Sequence, residues 1–114
     1  RRRREPGNDW IVVALGTEGI VERIEVDTAH FKGNYPDRCS VEATKFLEDN
    51  EDILLNNGYN WQKLLDKQKL EMDRIHSFDN TALKNLGPIT HLRLSIYPDG
   101  GISRFRAFGR PSLN

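Results

Sequence analysis

Thr90-His91-Leu92-Arg93-Leu94-Ser95-Ile96-Tyr97 alternates without a break and runs straight into Pro98-Asp99-Gly100-Gly101. Leu92, Leu94 and Ile96 fall on one side, and His91, Arg93, Ser95 and Tyr97 on the other. A period of two marks a strand with one face on a core. The four residues after it are turn formers. Residues 102–108 alternate again, with Phe105 and Ala107 opposed to Arg104 and Arg106. The pattern predicts a returning strand, and therefore a β-hairpin over residues 90–108.

The same reading extends towards the N-terminus. Residues 1–9 are polar, contain Pro6-Gly7-Asn8, and read as a loop or terminal arm. Trp10-Ile11-Val12-Val13-Ala14-Leu15 is short and rich in β-branched residues, and Gly16 follows as a turn. Residues 19–27 alternate, with Ile24 and Val26 inward and Arg23, Glu25 and Asp27 outward. Residues 28–38 hold Gly33-Asn34 and Tyr35-Pro36-Asp37 and read as a loop leaving a strand end. Residues 40–46 alternate again, placing Val41, Ala43 and Lys45 on one side. Residues 48–60 read as a surface insertion. In residues 61–70, Trp61, Leu64, Leu65 and Lys69 fit a helix turn, but so short a run favours strand and loop. No long capped helix is visible. Several short strands between turn signals predict an all-β antiparallel sandwich or barrel. Leu92, Leu94, Ile96, Ile24 and Val26 are its expected shared core.

Composition narrows the classes. The chain has 114 residues, the size of one domain. Lys plus Arg and Asp plus Glu both number 17, so the basic surplus of a general nucleic-acid binder is missing. No apolar run approaches the roughly 20 residues of a membrane helix, and no secretory leader is visible, although the chain starts with Arg1 and not Met. Cys39 is the single cysteine, so no intrachain disulfide can form, and a reducing, cytoplasmic setting is expected. Its place in an alternating run suits a small packed residue better than a nucleophile. Trp10 and Trp61 are expected in the core and not on a sugar platform.

Two longer motifs carry a family likeness. Val26-Asp27-Thr28-Ala29-His30-Phe31-Lys32-Gly33-Asn34-Tyr35-Pro36 resembles the D-T-x-x-F-x-G-N-x-P segment of allantoicases. Ile89-Thr90-His91-Leu92-Arg93-Leu94, with Tyr97-Pro98-Asp99-Gly100-Gly101-Ile102-Ser103-Arg104-Phe105-Arg106, resembles their T-H-x-R-L-x-x-x-P-D-G-G-x-x-R-x-R segment. Asp9-Trp10, Leu15-Gly16 and Gly19 resemble the start of the same repeat. The likeness spans nearly the whole chain and is weakest over residues 47–60.

The resemblance implies a jelly-roll β-sandwich of the galactose-binding-domain-like kind, over residues 1–114 as a single repeat. Allantoicases carry two such repeats. The arginines before Asp9-Trp10 resemble the G-W-E-T-x-R-R segment of the second one, so a fragment of a two-repeat chain is implied. The implied activity is hydrolysis of allantoate to ureidoglycolate and urea, in a homo-oligomer with no nucleic-acid or membrane partner. A non-catalytic jelly-roll binding or structural repeat is the competing class, because this architecture hosts many binders.

Allantoate bears a carboxylate and two ureido groups on one carbon. Its carboxylate suits a bidentate arginine. Its departing nitrogen needs a proton donor, and water needs a base or a metal. Asp27, His30 and Asp99 are the expected catalytic groups. Asn34, Arg104, Arg93 and His91 are the expected substrate-binding groups. Each also has a plain structural reading: Asp27 and Asn34 as turn-shaping side chains, His30 as a packed or solvated histidine, His91 as a structural strand-end histidine, Asp99 as part of a tight turn, and the arginines as a solvated face. The histidines are too scattered for a zinc motif such as H-x-x-x-H. An oxygen-rich site for manganese or calcium stays open as a cofactor.

Overall fold

A computed structural model describes residues 2–5, 8–31, 33–56, 59–98 and 100–112, with backbone alone for residues 2–5 and 8. Among the described residues seven strands form one hydrogen-bonded sheet, every pairing antiparallel. They are β1 (Arg2–Glu5), β2 (Asn8–Asp27), β3 (Arg38–Thr44), β4 (Gln62–Lys69), β5 (Ile75–Phe78), β6 (Ile89–Tyr97) and β7 (Arg104–Pro111). The fold class matches the all-β expectation.

The sheet doubles back on itself because β2 serves both layers. Its first part pairs with β1 and with β6, running from Asp9 opposite Ile96 to Ala14 opposite His91. A register shift between Ala14 and Gly19 breaks the ladder. Its second part pairs with β5 on one edge and β7 on the other. The larger layer therefore runs β1-β2-β6-β3-β4, and the smaller one β7-β2-β5. Gly109 permits the tight β2–β7 approach: a Cβ there would lie 1.9 Å from the Ile20 carbonyl oxygen.

The interior follows the alternation. Ile24, Val26, Leu92, Leu94 and Ile96 are all buried in one cluster with Val41, Ala43, Leu64 and Leu65. Each such aliphatic side chain contributes about 1.5–3 kcal/mol relative to exposure. Cys39 is buried among them, which removes it from any nucleophilic role.

Four local expectations are corrected. The hairpin over residues 90–108 does not form: β6 pairs with β2 and β3, while β7 pairs with β2 in the other layer. The chain therefore crosses from one layer to the other between Tyr97 and Arg104. Arg2–Glu5 is strand and not an arm, because β2 offers it an edge. Residues 10–15 and 19–27 are one strand of 20 residues. Lys45 points outward and pairs with Glu18 at 3.0 Å. Within the expected surface insertion, Glu51–Leu55 forms a short 3₁₀ helix that Asn50 caps, and its Leu54 is buried.

Candidate functional site

β2 delivers Asp27 to one rim of the sandwich, and β7 departs from the same place. Asp27 and Arg104 are Cα partners in the β2–β7 ladder. Ile24 and Val26 point inward, so Asp27 lies on the outer face and Arg104 beside it. One Asp27 carboxylate oxygen accepts the Ala29 N–H at 2.8 Å and bends the chain into the loop.

Two loops meet at this rim. The Gly101 N–H donates to the Asn34 carbonyl at 2.7 Å, and the Ser103 N–H donates to the Asp27 carbonyl at 2.7 Å. The Ser103 hydroxyl donates to the Ala29 carbonyl. The Phe31 ring fills the space beside Gly101, where a Cβ would lie 2.1 Å from Phe31 Cε1. At the foot of the first loop, the Asp37 N–H donates to the Tyr97 carbonyl at 2.9 Å. A hydrogen bond from Arg38 and the nearby Lys69 charge hold the Asp37 carboxyl below its ordinary range.

His30 stands on the first loop in the left-handed region, at φ 72°, with its ring exposed. Its backbone N–H donates to Asp73 Oδ1 at 2.8 Å. Among the described residues, the His30 ring and the Asn34 and Arg104 side chains have no hydrogen-bonding or ionic partner. Beside the rim opens a cavity of about 280 Å³ whose lining includes Asp9, Ile11, Ile96, Ser103, Arg104 and Phe105. The structure therefore brings Asp27, His30, Asn34 and Arg104 to one rim. Asp99 lies outside the described residues.

His91 and Arg93 do not join them. His91 sits six residues from Tyr97 along β6, roughly 20 Å from the rim end of that strand at strand rise. It is buried, with Nε2 2.7 Å from Glu51 Oε2 and Nδ1 2.7 Å from Thr90 Oγ1. These contacts tie the 3₁₀ helix to β6. Arg93 lies on the outer face of the larger layer. Its Nε donates to Glu42 Oε1 at 3.1 Å, and its guanidinium stacks 4.9 Å from the Trp61 ring and 5.6 Å from Trp10. Alternation told the face of these two residues but not the end of the strand or the partner. Trp10 beside Arg93 is buried, as expected, while Trp61 is only half-buried; both rings pack on Arg93.

Thr28, Asp73, His76 and Ser103 build the rim without having been singled out. Thr28 stands in the first family motif, which was the available signal; nothing in the sequence marks Asp73 or His76. Among the described residues, no three His, Cys, Asp or Glu side chains converge in a group that could hold a metal ion. No helix of the described residues is long and apolar enough to cross a membrane.

Comparison with known proteins agrees with the motifs. The family model for the allantoicase repeat matches residues 1–112. Probable allantoicase 2 of Burkholderia pseudomallei is 54% identical over 109 residues, which is 96% of this chain and 32% of that protein. Probable allantoicase of Pseudomonas aeruginosa is 54% identical over 112 residues, covering 98% of this chain and 33% of its own length. The crystal structure of allantoicase from Saccharomyces cerevisiae superposes with a TM-score of 0.73 at 35% identity, over 96% of this chain and 30% of that one. The chain thus spans about a third of the length of the relatives it matches. It belongs to the allantoicase family.

Proposed function

We propose that this chain is the second repeat of a two-repeat allantoicase, a cytoplasmic enzyme that hydrolyses allantoate to ureidoglycolate and urea. In the reaction, water oxygen bonds to the central carbon, the bond from that carbon to one ureido nitrogen breaks, and the departing nitrogen gains a proton. The observation that carries a role for this rim is the juxtaposition of Asp27 and Arg104 beside a loop presenting His30 and Asn34. Arg104 supplies a fixed cation for the carboxylate. Asn34 and the second oxygen of Asp27 accept ureido N–H groups. The exposed His30 ring moves the proton between water and the leaving nitrogen. The adjoining cavity leaves room for a small substrate next to Arg104.

Urea release from allantoate by the full two-repeat protein, with and without Mn²⁺ and Ca²⁺, tests the activity; this repeat alone need not be active. Absence of urea under all conditions would falsify it and leave the binding or structural repeat. His30→Ala with an intact fold and undiminished turnover would remove His30 from the site.

A further inference from the structure

The turn between β4 and β5 is held in an unusual way. Glu71, Met72, Asp73 and Arg74 are all exposed, so apolar burial does not fix it. Polar bonds to the loop after β2 do. The fully buried Thr28 donates its hydroxyl to the Glu71 carbonyl at 2.6 Å and accepts the Arg74 N–H at 3.1 Å. The Thr28 N–H donates to the Arg74 carbonyl at 2.9 Å, and the Asp73 N–H to the Phe31 carbonyl at 3.1 Å. Asp73 Oδ1 accepts the His30 N–H at 2.8 Å. His30 and Asp73 both have positive φ, 72° and 49°. Such conformations persist only where the surroundings impose them.

His76 closes this clasp from below. Its Nδ1 lies 3.1 Å from the Val26 carbonyl, and its Nε2 2.9 Å from the Glu71 backbone nitrogen. A carbonyl can only accept, so Nδ1 carries the hydrogen. A backbone N–H can only donate, so Nε2 must be bare. The ring is therefore neutral, in one tautomer. A proton on Nε2 would set N–H against N–H and undo the Glu71 bond. The charges around it are Glu71 and Arg74, ion-paired at 2.6 Å, with Asp73 on the same turn. Glu25 and Asp27 flank its β2 partner Val26, and Arg104 and Arg106 stand across β2 on β7.

We propose that His76 is a positioning residue: it holds the Glu71–Arg74 turn against the His30 loop while Nε2 is bare, and acid releases both. The clasp stands on its own hydrogen bonds; its link to turnover rests on the reading of the rim given above.

Amide hydrogen exchange in the full chain, followed from about pH 8 to about pH 5, where imidazoles titrate, is the test. Opening coupled to uptake of one proton is flat above the imidazole range and rises about tenfold per pH unit below it. Protection of the Thr28, His30, Glu71 and Asp73 amides should fall together in that way. His76→Gln offers an amide acceptor and donor in the same place, so its protection should stay flat and its allantoate turnover should persist to lower pH than wild type. His76→Ala should lose protection at every pH. Flat protection in the wild type, or the same fall in His76→Gln, overturns the proposal. If no variant turns over allantoate, the functional reading fails, and the exchange data still decide the clasp.

Discussion

Asp27 and Arg104 stand opposite one another in the β2–β7 ladder, on the outer face of the smaller layer, where two loops converge. A cation so placed, with no ionic partner among the described residues, is suited to an external carboxylate. Arg104→Lys keeps the charge and loses the two-pronged donor. Losing one charge-assisted hydrogen bond, about 1.5–3 kcal/mol, corresponds to a roughly 10- to 100-fold fall in kcat/KM for allantoate. Arg104→Ala should leave stability within about 0.5 kcal/mol, as for an exposed side chain. Urea release and denaturant melts measure the two effects; an unchanged kcat/KM removes Arg104 from the site.

Arg93 should behave in the opposite way. Glu42 accepts from Arg93 at 3.1 Å and Lys63 at 3.4 Å, and its side chain is 15% exposed. Glu42→Ala strips the half-buried guanidinium of its acceptor and should destabilise by about 1.5–3 kcal/mol in urea melts. The KM for allantoate should not move. A raised KM at unchanged stability would return Arg93 to the substrate.

These two arginines show what was legible. Both stood on polar faces of alternating runs, and both faces were read correctly. Register across the sheet separates them, and register is set by partners distant in sequence, which no local pattern reveals. Distance in sequence also defeated the hairpin over residues 90–108. Pro98 to Gly101 are good turn formers, but alternation on both flanking strands fits two facing layers as well as one ladder, and in β7 only Phe105 of the expected inward pair turns to the core while Ala107 is exposed. The inward set of Leu92, Leu94, Ile96, Ile24 and Val26 was readable because burial follows the period of two directly. The Thr28 clasp was not, because its bonds run to backbone atoms of residues 71–74.

Leu94 lies at the centre of the larger layer, with Ile11 and Val41 as its register partners. Leu94→Ala should cost about 2–5 kcal/mol by lost transfer and a residual cavity. A loss under about half a kcal/mol in a denaturant melt would contradict its burial.

Burial pushes the Cys39 thiol up from 9.0 to about 12. The folded state then keeps a proton that the unfolded chain releases above the lower value. Stability from this group is complete below about pH 9 and is lost as pH rises towards about 12, at about 1.4 kcal/mol per unit. Cys39→Ala should flatten that alkaline slope. Thiol reagents at neutral pH should label the wild type only as fast as it unfolds, which mass spectrometry can follow.

The 20-residue β2 is a single rib through both layers. If this rib detaches, the smaller layer loses both of its pairings and the larger one loses β1 and the β2–β6 ladder, leaving only β6-β3-β4. Cooperativity is thereby written into the covalent chain: the two layers cannot act as separate foldons. Heat should melt both in one step, and a backbone cut near Gly16 should convert that step into two.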